Sequence, residues 1–532
     1  MYYLVPWNPG AVADLSLTTY PQLSMQFNNI MTTRNPRDVY HRATVCMFLV
    51  VVLGACRQQP AEIHSRPNVI FILADDHRYD FMGFMGKVPE LKTPGMDRIA
   101  REGAHLQNAF VSTALCSPSR ASILSGQLTH HHQVVDNQSP IADSVRFFPE
   151  YLQENGYETA FIGKWHMGHD DDEPRKGFDY WVSFRGQGVY YNPELNVNGT
   201  REKHNDSTYI SDLLTDYAID FMEGQSLDKP FFLYLSHKGV HAEFMPAARH
   251  RDVYKNINIV YPPSMFPPGD KRGNNDTTTY NYRDLPDWVK EQRYSWHGVD
   301  YMYHGAIPFD TFYQLYCETL LGVDESVQRV LQYLDQHGLM ENTIVFYMGD
   351  NGFSFGEHGL IDKRHAYEES WRVPLLAMGK GIVPGAQVSE MVQNIDVAPT
   401  ILDIAGVSTP ANMDGKSFLP LLKGESTEWG VDTLYYEYFW ERPFPQTPTV
   451  YAVRTDRYKF IRYHGVWDIN ELYDLKEDPN EMRNLIRSPE HQEIAKKLDA
   501  SLFRWLERTN GMSMPLRKDE GTRGDHKYRG TY

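Results

Sequence analysis

Four short apolar runs, each cut off by polar residues, constrain the fold of this chain more than any other feature. Residues 68–74 stop at Asp75, Asp76 and His77, and residues 157–163 deliver Lys164 and His166. Residues 230–236 lead to His237 and His241, and residues 343–348 lead to Asp350 and Asn351. Runs that are continuously apolar belong to strands buried on both faces, as in parallel sheets. Between them lie helical stretches: one opened by Thr93-Pro94 and closed by Gly103, one over 148–155 stopped by Gly156, and one over 324–337 closed by Gly338. Strands alternating with helices predict an α/β fold with a large, mostly parallel sheet flanked by helices. Such sheets bind ligands at the carboxyl edge of their strands. The polar residues that end the runs therefore converge on one rim.

Residues 115–126 (Leu-Cys-Ser-Pro-Ser-Arg-Ala-Ser-Ile-Leu-Ser-Gly) belong to that rim by chemistry. Ser117 reads as an N-cap and Pro118 fits the first helical turn. Cys116 then stands at a helix N-terminus, where an anion is favoured, with Arg120 one turn away. A cysteine here is also compatible with a structural core position. Asp75, Asp76, Asp350 and Asn351 offer only hard oxygen donors, a set that selects Ca²⁺, or less readily Mg²⁺, over zinc. His77 reads as a packed imidazole beside them.

Cys116-x-Pro118-x-Arg120 followed by Ala-Ser-Ile-Leu-Ser-Gly resembles the signature of the type I sulfatases of the alkaline phosphatase superfamily, and the likeness runs from about Arg66 into the C-terminal region. The resemblance implies an alkaline-phosphatase-like fold in which a maturase converts Cys116 to formylglycine, whose hydrated aldehyde is the nucleophile. It implies one calcium on Asp75, Asp76, Asp350 and Asn351 that also touches residue 116. It assigns Arg120 to fixing the formylglycine and Lys164 (Gly-Lys-Trp-His) to sulfate oxygens. His166 falls to the aldehyde hydrate. His241 falls to the sulfate or the leaving alcohol, although Val240 stands where the family usually has Pro. Residues 242–246 favour His241 over His237. Lys363, after Gly356-Glu-His-Gly-Leu360, is the second sulfate-binding lysine, and residues 367–374 read as its structural support.

His130-His131-His132 suggests a zinc tract, but no acidic or cysteine ligand accompanies it in the sequence. Residues 128–137 resemble N-acetylglucosamine-6-sulfatases, which makes His132, Asp136 and Asn137 candidate substrate-binding residues.

The chain begins with an address. Arg34, Arg37 and Arg42 precede the apolar run 45–52 and then Leu53-Gly-Ala-Cys56. This reads as a lipoprotein signal peptide over 31–55, with Cys56 lipidated and residues 1–30 an upstream artefact. The run is too short to span a membrane well. An exported bacterial lipoprotein, periplasmic or on the outer membrane or cell surface, is expected, held to the membrane through its N-terminal lipid anchor. Cys46 is then removed, Cys116 converted and Cys317 left alone, so no disulfide framework exists. The sequons at Asn198, Asn205 and Asn275 carry no role in such a protein. A net charge of -17 excludes a nucleic-acid partner.

The catalytic domain is expected over 66–430. Within it, residues 261–310 form a Pro- and aromatic-rich insertion packed over the site, its aromatics serving local packing. Residues 431–515 read as a smaller antiparallel sheet with a helix, and 516–532 as a polar tail. The function implied is hydrolysis of sulfate monoesters of a sulfated glycan. The alternatives are a phosphonate or phosphate diester hydrolase of the same superfamily, and a glycan-binding surface lipoprotein without catalysis.

Overall fold

A computed structural model describes residues 66–515, apart from 227, 273–279 and 426–427. The segment 1–30, the signal peptide expected over 31–55, Cys56, Asn275 and the tail expected over 516–532 lie outside the described residues.

The main sheet has ten strands. They are β1 (Asn68–Ala74), β2 (Ala104–Phe110), β3 (Glu158–Lys164), β4 (Tyr180–Phe184), β5 (Glu194–Val197), β6 (Thr200–Lys203), β7 (Phe231–Ser236), β8 (Thr343–Gly349), β9 (Leu375–Gly379) and β10 (Ala386–Gln393). Their order is β10-β2-β9-β8-β1-β7-β3-β4-β5-β6. The central five, β8-β1-β7-β3-β4, are parallel throughout. β9 runs antiparallel between β8 and β2, and β5 and β6 close the far edge as a hairpin.

The helices are α1 (Pro94–Glu102), α2 (Cys116–Ser125), α3 (Phe148–Glu154), α4 (Ile210–Glu223), α5 (Phe309–Gln336), α6 (Val397–Ile404) and α7 (Gln492–Arg508). The residues of β1 explain why its sequence is apolar without alternation. Val69, Phe71 and Leu73 join a core that includes Ile123 and Leu124 of α2 and Ile401 of α6. Ile70 and Ile72 join the opposite core, with Leu214 of α4 and Val323 and Val327 of α5. Helices cover both faces, and each buried aliphatic or aromatic side chain contributes on the order of 2 kcal/mol.

The helix expected over 324–337 begins fifteen residues earlier, at Phe309, after Pro308. Its first half buries Phe312, Tyr313, Tyr316 and Leu320, an aromatic stripe that continues the aliphatic one. Gly322 lets the helix approach α4's entry: a Cβ there would stand 3.0 Å from the Tyr209 ring.

The C-terminal strands β11 (Thr433–Tyr438), β12 (Thr449–Thr455), β13 (Tyr458–His464) and β14 (Glu471–Asp474) form an antiparallel meander. Leu498, Leu502 and Trp505 of α7 pack on Val453, Phe460 and Leu472. The residues expected to be a sheet with a helix are therefore one, with a fourth strand at Glu471–Asp474.

Candidate active site

Because β8, β1, β7 and β3 are parallel neighbours, their C-terminal ends share one edge. Asp75 and Asp76 follow β1, Asp350 and Asn351 follow β8, Lys164 ends β3, and His237 to His241 follow β7. The loop after β7 is tied to the loop after β1 by main-chain bonds, Asp75 N–H to Gly239 at 2.8 Å and Val240 N–H to Asp75 at 2.7 Å. The structure thus brings together Cys116, Arg120, Lys164, His166, His241, Lys363 and the four oxygen-donor residues, all of them buried.

Helix α2 begins at Cys116, with Leu115 as its extended N-cap residue. Ser117 is therefore not the cap but the second helical residue. Its N–H is met instead by Asn137 Oδ1 at 3.1 Å, and its hydroxyl lies 3.2 Å from His166 Nδ1. Cys116 is fully buried, and its Sγ lies 3.9 Å from Asp76 Oδ1. Burial pushes the thiol well above its ordinary range although Lys164 and Lys363 oppose it. An unmodified thiol here is not the thiolate that cysteine nucleophiles require.

The cations are held by the carboxylates. Arg120 donates to Asp350 Oδ2 at 2.8–2.9 Å, to the Lys164 carbonyl at 2.8 Å and to Ser236 Oγ at 2.7 Å. Lys363 Nζ donates to both Asp76 oxygens at 2.6 Å. Lys164 donates to Asp75 Oδ2 and to Gln187. Burial would raise the Asp75 carboxyl, but Lys164, His241 and Arg120 outweigh it and hold the group well below the usual range. Burial and the neighbouring Asp75 push Asp350 up to about 7. Burial, then Lys363 and Lys164, hold His241 well below the usual imidazole range. His166 is likewise lowered, by burial and Lys164.

The donor set fits a hard divalent cation. Oxygens of Asp75, Asp76 and Asp350 lie within 4.8 Å of one another. Asp75 Oδ1 and Asn351 Oδ1 are buried without a hydrogen-bond partner, which is the state of an oxygen poised for a metal. His77 is packed as expected, between the Tyr347 hydroxyl at 2.6 Å and the Phe81 carbonyl at 3.0 Å.

The pocket above this cluster is lined by Asn137, Gln187, His241, Lys363, Arg364 and Trp296, with Phe444 completing the wall. Trp296 stacks on Phe444 at 5.3 Å, and the Arg364 guanidinium lies 4.1 Å from the Phe444 ring centroid. Part of the 261–310 insertion thus faces the site, while Trp288 packs 5.3 Å from Tyr463 of the C-terminal sheet. Sequence reasoning missed Gln187, Trp296, Arg364 and Phe444. Gln187 follows β4 as the other polar residues follow their strands, so the same rule reaches it. The others meet only through tertiary packing.

Of the candidate substrate-binding residues, Asn137 lines the pocket. Asp136 accepts from Gln138 N–H at 2.9 Å and Ser139 Oγ at 2.7 Å, within a turn. His132 does not reach the rim. It is 1% exposed, with Nε2 3.0 Å from Ser122 Oγ and Nδ1 accepting from Val134 N–H at 3.1 Å. Burial and the two neighbouring histidines pull it down to about 3, as suits an internal neutral imidazole. Acidic residues do accompany the histidine run in space: His130 pairs with Glu437 and His131 with Asp414, each at 2.7 Å. Their carboxylates are separate, their Nε2 atoms share the Thr509 carbonyl at 3.0 and 2.6 Å, and no metal cluster forms there among the described residues.

A family model described as Sulfatase matches residues 67–407, and one described as N-sulphoglucosamine sulphohydrolase, C-terminal, matches 356–508. An N-acetylglucosamine-6-O-sulfatase of Bacteroides thetaiotaomicron is 35% identical over 498 residues, covering 84% of this chain and 87% of that protein. The N-acetylglucosamine-6-sulfatase of Capra hircus is 31% identical over 482 residues, covering 81% and 82%. A protein solved in complex with its substrate D-glucosamine-2-N,6-O-disulfate shares 31% identity, covers 86% of this chain and 100% of its own, and superposes with a TM-score of 0.76.

Proposed function

This chain belongs to the sulfatase family and is a sulfuric ester hydrolase, and on that premise we propose that it removes sulfate monoesters from a glycan through a formylglycine made from Cys116 and one calcium ion. The observation that carries the reading is the convergence of Cys116, three buried carboxylates and three buried cations on one sheet edge. The likeness to relatives named for N-acetylglucosamine-6-sulfate supports a 6-sulfated amino sugar in a glycosaminoglycan-type glycan as the substrate.

Asp75, Asp76, Asp350 and Asn351 would hold the calcium, which when bound supplies positive charge to the sulfate oxygens and to residue 116. Formylglycine, once formed, supplies an oxygen nucleophile for sulfur. Arg120, anchored at three points, keeps residue 116 on a fixed helical turn. Lys164 and Lys363 offer ammonium donors to the sulfate oxygens. His241 Nδ1 meets the Ala242 carbonyl, which leaves Nε2 to serve the leaving oxygen. An imidazolium in so cation-rich and buried a place gives up its proton readily to a departing alkoxide. His166, set on Ser117 of the same helix turn, stands ready to handle a proton of residue 116.

The exported, lipid-anchored location rests on residues 31–56 and belongs to the same proposal. Among the described residues no helix is long and apolar enough to cross a membrane.

The test is the mass of the tryptic peptide across Cys116, measured beside aryl-sulfate turnover with and without EDTA. Conversion lowers the peptide by about 18 Da, the change from CH₂SH to an aldehyde. Conversion with metal-dependent turnover supports the reading. Full conversion with phosphodiester but no sulfate-ester turnover favours the diester hydrolase instead.

A further inference from the structure

Lys238 stands apart from the other cations of the site. Arg120, Lys164 and Lys363 each have a carboxylate partner. Lys238 is 4% exposed, yet its ammonium has no ion pair or hydrogen bond among the described residues. Its one close contact is the face of the Tyr190 ring, 4.5 Å from the centroid. Tyr190 in turn donates its hydroxyl to the His241 carbonyl at 2.6 Å. Lys238 also lies in the loop that two main-chain bonds tie to Asp75. Burial first, then Lys164, pulls Lys238 down to about 7, while Asp75, Asp76 and Cys116 pull it up. The charges that reach it are those around the reacting position.

A buried ammonium without a counter-charge is costly to hold and is kept where an anion arrives to meet it. We propose that Lys238 is a further sulfate-binding residue of this site, donating to the oxygens of the scissile sulfate on the side of Lys164. The inference rests on the sulfatase reading and adds Lys238 to the residues given roles above.

The test is calorimetric titration of inorganic sulfate into the converted, calcium-loaded full chain, for the wild type, K238M and K238R, with a thermal melt of each. K238M is expected to bind sulfate about tenfold more weakly or worse, the size of a charge-assisted hydrogen bond, and to raise KM for an aryl sulfate in step. K238R restores part of the affinity. The melting temperature of K238M falls little or not at all, because Lys238 has no salt-bridge or hydrogen-bond partner to strand and loses only the contact with the Tyr190 ring. Sulfate binding by K238M equal to that of the wild type overturns the assignment. So does a loss confined to a second sulfate on a disulfated sugar, and so does failure of both K238M and K238Q to fold. A wild type that binds no sulfate overturns the sulfatase reading itself, which keeps the two failures apart.

Discussion

Asn137 Oδ1 accepts a hydrogen bond from the Ser117 main-chain N–H at 3.1 Å, while the same side chain lines the pocket. The helix that presents Cys116 is therefore capped from a separate loop, by a residue that also lines the pocket. An N-cap of this kind satisfies a donor that the helix itself cannot.

Asn137→Ala removes that acceptor. It is expected to cost about 1 kcal/mol of stability. It should also lower kcat by roughly tenfold, because the first turn that fixes residue 116 loosens. Asn137→Asp keeps the cap and most of the stability. Thermal melts and aryl-sulfate kinetics of both variants check this.

Asp350 joins the carboxylate cluster to Arg120, and its carboxylate also accepts from the Asp76 N–H at 2.9 Å. Asp350→Asn is expected to lose bound calcium and to lower kcat/KM by roughly 10³, several kcal/mol of charge stabilisation. Chelation of the wild type should have the same effect and be reversed by added calcium. Elemental analysis beside kinetics checks both.

Lys363 is flanked by two non-glycine residues in the left-handed region, Asp362 at φ 74° and Arg364 at φ 87°. Such backbone persists only where its surroundings hold it. Arg364 pairs with Asp362 at 2.7 Å and with Glu441 of the C-terminal part of the chain. Glu441→Ala strips a partner from a buried guanidinium, which is expected to destabilise by about 3 kcal/mol. Activity should fall further than stability alone explains, as Lys363 loses its placement. Denaturant unfolding and kcat/KM measured below the transition separate the two effects.

Glu471 is buried beneath the hydroxyls of Tyr367, Tyr463 and Tyr473. Burial pushes its carboxyl up to about 7, although the three tyrosine hydrogen bonds oppose the rise. A raised folded value means the native state holds its proton longer than the unfolded chain. Its contribution is thus present at pH 4 and lost as pH rises toward 7. Relative to Glu471→Gln, wild-type stability should fall between pH 5 and pH 8 by on the order of 3 kcal/mol. Unfolding free energies of both proteins across that range check the slope.

The central strands were legible because burial on both faces leaves no polar residue inside them, so β1, β7 and β8 stand out as unbroken apolar runs. The strand-end part of the site followed from the same fact, since the first polar residues after those runs must lie at the sheet edge, whereas Cys116, Arg120 and Lys363 were legible only through their own motifs. Helix α5 was only half legible, since its first turns carry Phe312, Tyr313 and Tyr316, which in sequence continue the aromatic insertion. The cap of α2 was misread because Ser117 is a good capping residue, but the acceptor that serves the helix comes from Asn137, across the pocket. His132 was misplaced because local similarity does not say which side of a single helical turn faces the core. Trp296 and Phe444 meet only when the insertion and the C-terminal sheet have both folded onto the edge.

The most direct test of the central claim is sulfate released from 6-sulfated N-acetylglucosamine by chain whose Cys116 is verified as converted, with Cys116→Ala in parallel. Calcium-dependent release by the converted protein and none by the variant is the expected result. Converted, calcium-loaded protein that releases no sulfate from this sugar or from any aryl or glycan sulfate would contradict it.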